Sequence, residues 1–288
     1  MKPIEECTAG IVGLGLMGGA IAMALKKIGP ARLFACDINS DTLDEARQMG
    51  LIDQGWPGSG AAADEMLALC DLVYLCINPS TLLRFMNAHI QAFKKGALIT
   101  DIAGVKTGIT AAMEQGLRDD LDFIPGHPMA GSEKGGFANA ARCSFTGKNY
   151  ILTPLKRNTA ENLEFMKGLI YRMGFGTITC VTAEEHDRKI AFTSQLCHVI
   201  AAALIDCEGD TEITRFGGGS FEDLTRIAML NASMWTELFI ENRTPLLERI
   251  EQFEGSLDLF KTLIREEREQ ELMARLGLVR ERRSRMNG

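Results

Sequence analysis

The order of apolar segments predicts an α/β protein, in which a doubly wound parallel sheet over residues 1–180 is followed by an all-helical domain over residues 181–288. In the first part, short apolar runs alternate with segments of helical periodicity, which is typical of a parallel sheet with helices on both faces. No strand pattern returns after about residue 180. With 46% apolar residues in a chain of 288, each domain can bury a core of its own.

A glycine-rich turn lies between the first predicted strand, at 9–12, and a helix predicted at 19–28; its residues are Gly13, Leu14, Gly15, Leu16, Met17 and Gly18. Gly13 permits a tight turn, Gly15 lets the backbone approach a pyrophosphate, and Gly18 lets the helix pack on the strand. Free amide groups at the start of the helix would bind the anion. The glycine spacing alone is a weak signal, but in this context it indicates a Rossmann-like dinucleotide site.

The second predicted strand ends in Asp37, at the distance from the glycines expected of the carboxylate that binds an adenosine ribose. A negative charge there disfavours the 2'-phosphate of NADP, and Asn39 and Ser40 offer no cation to offset it. NAD is therefore the predicted cofactor, with NADP as the alternative. A cap for the next helix is the competing interpretation of Asp37.

Further strands are predicted at 71–77, 97–101, 123–125, 149–153 and 177–181, and helices at 40–49, 79–93, from 107 and at 160–173, so that the sheet is expected to continue to about residue 180. Parallel strands end at the same edge of a sheet, where ligands bind. We therefore expect Asn78 with Pro79, Gly104 and His127 to converge beside the cofactor. A simple turn is the alternative for His127, which lies in a glycine-punctuated stretch at 126–136.

The helical domain begins with one long predicted helix at 184–206, preceded by a capping-box pattern at 182–185. This helix carries His186, Gln195 and His198, and the spacing of the last two places them on one face. Further helices are predicted to start near residues 220, 233 and 244, and a last one at 256–275.

Composition favours a cytoplasmic protein that binds neither nucleic acid nor membranes. The net charge of -7 provides no basic surface for either partner. We expect no signal peptide and no apolar span of membrane length. The eight cysteines form no Cys-x-x-Cys pair, so reduced core thiols are expected and no metal site is predicted.

Six motifs follow one another within residues 8–245: Gly13-Leu14-Gly15-Leu16-Met17-Gly18, Asp101-Ile102-Ala103-Gly104-Val105-Lys106, Gly126-His127-Pro128-Met129-Ala130-Gly131-Ser132-Glu133, Glu185-His186-Asp187, Ser194-Gln195-Leu196-Cys197-His198 and Phe221-Glu222-Asp223-Leu224-Thr225-Arg226-Ile227-Ala228. Together they resemble the prephenate/arogenate dehydrogenases of tyrosine biosynthesis. The resemblance implies an NAD-dependent oxidative decarboxylation of prephenate to 4-hydroxyphenylpyruvate, in a homodimer joined through the helical domain. Arogenate, or either cyclohexadienol, is the alternative substrate.

The resemblance also implies roles for individual residues. His127 matches the catalytic base, and a neutral histidine suits that task near neutral pH. Arg226 matches an arginine that binds a substrate carboxylate, with a surface pair to Glu222 as the alternative. The remaining substrate-side candidates are His198, Gln195, Glu133, Ser132, Trp235 and His186. A structural role is the alternative for His186. Trp235 matches an aromatic residue of the substrate pocket that the partner subunit could supply, and packing in the core is the alternative for it.

Two residues depart from the pattern of the family. Gly104 stands where a serine commonly helps to hold the substrate hydroxyl beside the base, so turnover is expected to be weaker unless Ser132, a water or backbone amides replace it. Gln195 stands where many members have a histidine. That change is expected to alter the pH dependence or the preference between prephenate and arogenate.

Two other functions fit parts of the pattern. A 3-hydroxyacid dehydrogenase would use a helix lysine such as Lys189 within Lys-x-x-x-Asn, but this chain has Thr193 at the last position. A non-catalytic NAD sensor would not need His127, His198 and Arg226, all of which are present.

Overall fold

The computed structural model describes residues 1–58, 60–131 and 134–286. Six strands form a parallel sheet in the order β3-β2-β1-β4-β5-β6: β1 (Thr8–Val12), β2 (Arg32–Asp37), β3 (Gln54–Pro57), β4 (Leu72–Leu75), β5 (Leu98–Asp101) and β6 (Asp122–Ile124). The strand order reverses between β1 and β4, which creates the crevice where Rossmann-type sheets bind nucleotides. The predicted doubly wound fold is confirmed.

The sheet does not continue to residue 180, and that expectation is wrong. β7 (Gly126–Pro128), β8 (Asn149–Leu152) and β9 (Thr177–Cys180) form a separate three-stranded sheet, in which β7 is antiparallel to β8 and β8 is parallel to β9. The break falls at Pro125, which has no amide hydrogen to extend the ladder between β5 and β6. His127 therefore lies in a strand, opposite Ile151, and the interpretation as a simple turn is excluded.

Helices cover both faces of the large sheet: α1 (Leu16–Ile28), α2 (Ser40–Gln48), α3 (Ala61–Leu67), α4 (Pro79–His89), α5 (Thr107–Gly116) and α6 (Ala160–Arg172). Buried apolar side chains form two clusters because neighbours along a strand point to opposite faces. In β1, for example, Ile11 belongs to one cluster and Val12 to the other.

The rest of the described chain is helical: α7 (Ala183–Ile190), a π-helical turn (Ala191–Gln195), α8 (Leu196–Asp206), α9 (Gly219–Thr225), α10 (Ala232–Glu241), α11 (Arg243–Arg265) and α12 (Glu269–Arg285). The predicted last helix at 256–275 is wrong, since the chain turns between α11 and α12, where Glu267 adopts a φ of 51°. Most of the exposed large apolar side chains lie in this helical domain, among them Phe192, Phe216 and Leu257.

The helix Ala183–Asp206 is long and apolar enough to cross a membrane by length and composition, contrary to the expectation from sequence. Its first turns carry the buried polar side chains His186 and Asp187, and both make hydrogen bonds to the sheet domain. These contacts are those of a helix packed against protein.

Candidate active site

A cavity of about 870 Å³ opens between the carboxyl edge of the large sheet and the helical domain. Ten of the residues singled out from sequence line it: Gly15, Leu16, Met17, Asn78, Pro79, Gly104, His127, Gln195, His198 and Trp235. Six others lie outside its wall: Gly13, Leu14, Gly18, Asp37, His186 and Arg226. Ser132 and Glu133 lie outside the described residues.

The glycine-rich turn has the shape that a dinucleotide requires. Gly13 has a φ of 91°, and a Cβ there would come within 2.6 Å of the Cys76 carbonyl oxygen. A Cβ on Gly18 would come within 1.8 Å of the Gly13 carbonyl oxygen. The space around Gly15 is open, and no side chain caps the start of α1, so the first amide groups of this helix are available to a diphosphate at the cavity wall.

Asp37 braces this turn. One carboxylate oxygen accepts a hydrogen bond from the Leu14 amide at 2.6 Å and the other accepts one from the Asn39 amide at 2.8 Å. Asn39, and not Asp37, caps α2 through the amides of Asp41 and Thr42. The carboxylate thus stands beside the nucleotide turn, where it suits a ribose with two free hydroxyls.

A chain of three side chains orients His127. The Nδ1 of His186 lies 2.7 Å from an Asp187 carboxylate oxygen, which can only accept, so this nitrogen carries a proton. The Nε2 of neutral His186 is then an acceptor, and it lies 2.8 Å from the Nδ1 of His127. His127 must donate from Nδ1, which leaves its Nε2 unprotonated as a base.

The surroundings hold both imidazoles in the neutral form. Burial lowers the pKa of His127 well below 6.5, and the neighbouring His186 and Lys106 lower it further. Burial also lowers the pKa of His186, although the hydrogen bond with Asp187 acts in the opposite direction. For Asp187, burial alone would raise the pKa, but bonds from His186 and Thr107 bring it below 3.8.

Lys106 and Asp101 form an ion pair beneath the site, with Nζ and Oδ2 2.5 Å apart and both side chains fully buried. The other oxygen of Asp101 accepts from the amide of Gly126, next to His127. Burial lowers the pKa of Lys106. The pair therefore fixes the start of β7 and places a positive charge close to the two imidazoles.

The π-helical turn brings two distant histidines to the same side of one helix. His186 and His198 are twelve positions apart in the sequence, which in a regular α-helix rotates them by roughly 120° relative to each other. A π-helical turn accommodates one extra residue and removes about 100° of that rotation. His186 then meets His127, while His198 lines the cavity.

His198 packs against Trp235 of the same chain, with ring centroids 3.8 Å apart and the ring planes inclined by 32°. Its Nδ1 donates to the carbonyl oxygen of Ser194 at 2.8 Å. Both aromatic residues line the cavity.

Gln195 reaches the cavity wall but is only 1% exposed, because its amide is used inside the protein. Its nitrogen donates to the Leu238 carbonyl at 3.0 Å, and its oxygen accepts from Asn242 at 2.7 Å. Asn242 also donates to the carbonyl of Asp187. Gln195 thus ties α7, α10 and α11 together.

Arg226 is exposed in a short 3-10 turn, and its neighbour Ile227 lines the cavity in its place.

The sequence analysis did not identify Asp187 as the partner that orients His186. The available signal was the Glu-His-Asp triplet itself, since a carboxylate beside a histidine is a common way to fix a tautomer. No local sequence pattern indicated Asn242, or Glu237, which accepts a hydrogen bond from the Ser80 amide.

Comparison with known proteins gives consistent matches over both domains. The family model described as the prephenate dehydrogenase nucleotide-binding domain matches residues 21–178, and the one described as the prephenate dehydrogenase dimerization domain matches residues 182–278. Prephenate dehydrogenase of Bacillus subtilis is 29% identical over 89% of this chain and 70% of its own length. Cyclohexadienyl dehydrogenase of Zymomonas mobilis is 31% identical over 88% of this chain and 87% of its own.

The solved structures include prephenate dehydrogenase of Aquifex aeolicus in complex with hydroxyphenyl propionate and NAD+. That structure superposes with a TM-score of 0.87 at 31% identity, over 99% of this chain and 100% of that one.

Proposed function

The chain belongs to the prephenate dehydrogenase family, and from that premise we propose that it catalyses the NAD-dependent oxidative decarboxylation of prephenate to 4-hydroxyphenylpyruvate. The family predicted from the six motifs is confirmed. The observation that carries the proposed chemistry is the unprotonated Nε2 of His127, set by His186 and Asp187, in a cavity that also contains the start of the nucleotide-binding helix.

The cofactor and the base have separate roles in the proposed reaction. When bound, NAD accepts a hydride from the ring carbon that carries the substrate hydroxyl. The Nε2 of His127 takes the hydroxyl proton, so the C–O bond gains double-bond character as the hydride leaves. Breaking the bond to the ring carboxylate releases carbon dioxide and leaves its electron pair in the ring, which becomes aromatic as a phenolate. The protonated Nε2 of His127 then returns its proton to the phenolate oxygen, which gives 4-hydroxyphenylpyruvate and restores the base. The donor and acceptor pattern along Asp187, His186 and His127 holds the neutral base in the required tautomer.

Prephenate brings two carboxylates, and His198 and Arg226 are the proposed groups that bind them. His198 suits this role because it lies on the cavity wall beside Trp235, and an imidazole can donate a hydrogen bond to a carboxylate. Arg226 directly precedes the cavity-lining Ile227, and its planar guanidinium matches a carboxylate. Ser132 and Glu133 follow Gly131 of the cavity wall in the chain and remain proposed substrate contacts.

Arogenate is the second candidate substrate, and the cyclohexadienyl dehydrogenase among the relatives is the reason to consider it. Arogenate carries an ammonium group where prephenate carries a ketone, and a buried ammonium requires a nearby carboxylate. Along the part of the cavity wall that the structure describes, no aspartate or glutamate side chain is present. Glu133, a proposed substrate contact outside the described residues, would supply such a carboxylate.

The direct test is a side-by-side assay of purified enzyme with prephenate and arogenate, each with NAD and with NADP. We expect NADH formation with prephenate, because Asp37 disfavours the extra phosphate of NADP. If neither substrate leads to reduction of NAD or NADP, the proposed function is wrong. Faster turnover of arogenate would make it the substrate.

A cytoplasmic homodimer is the proposed form of the enzyme. The family model that covers the helical domain is that of a dimerization domain, and this domain holds most of the exposed large apolar side chains. A second copy would cover such side chains. The net charge of -7 supports the proposal that nucleic acid and membranes are not partners.

The pH profile should reflect the lowered pKa of His127. The base works only when neutral, and a lower pKa keeps it neutral to lower pH. The acid limb of kcat/KM is therefore expected below pH 6.5, with activity lost only as the pH falls through the lowered pKa of His127. A kcat/KM profile measured between pH 4.5 and 9 in constant ionic strength tests this, and an acid limb at or above 6.5 would contradict it.

Gly104→Ser should raise turnover. A Cβ at Gly104 would lie 3.9 Å from Cε1 of His127 and no closer than 3.5 Å to Leu238, which is ordinary contact distance. A serine therefore fits, and its hydroxyl can bond the substrate hydroxyl beside the base. We expect kcat/KM to rise about 2- to 10-fold, the effect of one added neutral hydrogen bond. Gly104→Ala adds the same Cβ without the hydroxyl and serves as the matched control; an equal change in both variants would argue against the hydroxyl.

A further inference from the structure

The amino ends of α4 and α5 face the helical domain, and neither is capped by the side chain at its own N-cap position. Carboxylates from the helical domain take that place. Glu237 of α10 accepts from the Ser80 amide in the first turn of α4, at 2.5 Å. Asp187 of α7 accepts from the amides of Lys106 and Thr107 at the start of α5, at 2.9 and 2.8 Å. A carboxylate at this end of a helix gains both the hydrogen bond and the attraction of the helix dipole.

The two contacts lie beside the same cleft, next to Pro79 and near Gly104 of its wall. α10 carries Trp235 and Leu238 on the cavity wall, and Leu238 lies next to Gly104 of the sheet domain. α7 carries His186, which contacts His127 of the sheet domain. The base and the group that sets its tautomer therefore belong to different domains. They meet only while the domains are docked.

α10 and α7 are also joined to each other. The amide of Gln195, at the end of the π-helical turn, donates to the carbonyl of Leu238 in α10. Asn242, directly after α10, donates to the carbonyl of Asp187 and to Gln195. The side chains of Gln195 and Asn242 are buried, so a shift of α10 on the sheet domain would also shift the segment that holds His186 and Asp187.

We propose that Glu237 is a positioning residue: by capping α4 it docks the helical domain on the sheet domain, and this docking keeps His186 in contact with His127. Glu237 is not part of the cavity wall. It acts through the domain contact, from a position directly before Leu238 of the wall, and not through substrate. The kinetic consequences rest on the function proposed above, whereas the docking itself does not.

Loss of docking should change the surroundings of His127 in a defined way. Among the described residues, the charged and titratable groups that act on it are His186 and Asp187 from α7, Asp101 at the end of β5 and Lys106 from the loop after β5. If α7 moves away, His127 loses the donor–acceptor contact with His186 and gains water, and both the burial and the His186 contributions that lower its pKa are reduced.

The experiment compares Glu237→Ala, Glu237→Gln and the control Glu45→Ala, which removes an exposed helical glutamate on α2. Docking is measured on the full-length protein without substrate, by hydrogen exchange of the segments at 78–82 and 104–108. Glu237→Ala should lose protection in both segments, since Ser80 loses its acceptor and the Asp187 contact loosens with it. Glu237→Gln keeps an oxygen acceptor for Ser80 and should retain protection.

Kinetics and histidine titration give the second readout. Glu237→Ala should lower kcat/KM roughly tenfold, the effect of one lost charge-assisted hydrogen bond, while Glu237→Gln and Glu45→Ala should stay within about threefold of the wild type. The titration of His127, followed by NMR, should move to higher pH in Glu237→Ala alone.

Unchanged exchange at 78–82 and 104–108 in Glu237→Ala would overturn the docking role. Faster exchange with unchanged His127 titration would overturn the link to the base and leave Glu237 a structural cap. Because exchange and NMR need no substrate, these outcomes remain readable even if neither prephenate nor arogenate is turned over.

Discussion

Replacing His127 by Asn is expected to lower kcat about 10²- to 10⁴-fold, the usual contribution of a positioned general base. Asparagine can keep a hydrogen bond to the Nε2 of His186 through its amide, so the local packing has a partner for that atom. It has no basic nitrogen to take the substrate proton. Stopped-flow and steady-state measurement of NADH formation from prephenate check the result.

Cofactor binding separates loss of chemistry from loss of structure. The glycine-rich turn and Asp37 lie on β1, α1 and β2, away from the His127 side chain, so the affinity for NAD should stay within about twofold of the wild type. His89→Asn is the matched control, because His89 is buried and hydrogen-bonded to Asp64 but does not line the cavity. It should retain kcat. A His127→Asn enzyme with a near wild-type rate would exclude His127 as the base.

The large sheet was predictable because its central strands are local apolar runs. β4, with all four residues buried, is visible in the sequence, as is the glycine-rich turn after β1. β3 was missed because only Trp56 among its four residues is buried, and Gly55 and Pro57 are poor strand formers. In the small second sheet, β8 and β9 were predicted, but β7 was expected to be a loop. The pairing of these strands was not predicted either, because a strand pattern does not specify its neighbour.

The candidate site was predictable as a set of residues but not as a mechanism. Motif order indicated His127, His198 and the nucleotide turn, and strand ends indicated where they meet. The proton arrangement depends on a contact between His127 and His186, 59 positions apart, and on the extra residue of the π-helical turn. Gln195 was expected to face the substrate, but its amide bonds Leu238 and Asn242, whose positions only the packed helices determine.

The buried pair of Lys106 and Asp101 should give the largest effect on stability. Lys106→Met keeps much of the side-chain volume but leaves the Asp101 carboxylate buried without its cation, although the amides of Ala103 and Gly126 still donate to it. Removing one partner of a buried ion pair costs about 3–5 kcal/mol, so the free energy of unfolding should fall by that amount. Denaturant unfolding at fixed protein concentration measures it, because the stability of a dimer depends on concentration.

Two comparisons identify the cause of that loss. Lys94→Met breaks the partly exposed pair with Asp71, whose lysine side chain is 40% exposed, and should cost less than about 1 kcal/mol. Combining Lys106→Met with Asp101→Asn removes both charges and should recover part of the lost stability, since the penalty comes from the unpaired carboxylate and not from the missing attraction. If the double variant is no more stable than Lys106→Met alone, the cost lies in packing around the lysine stem. The ion pair would then be secondary to that packing.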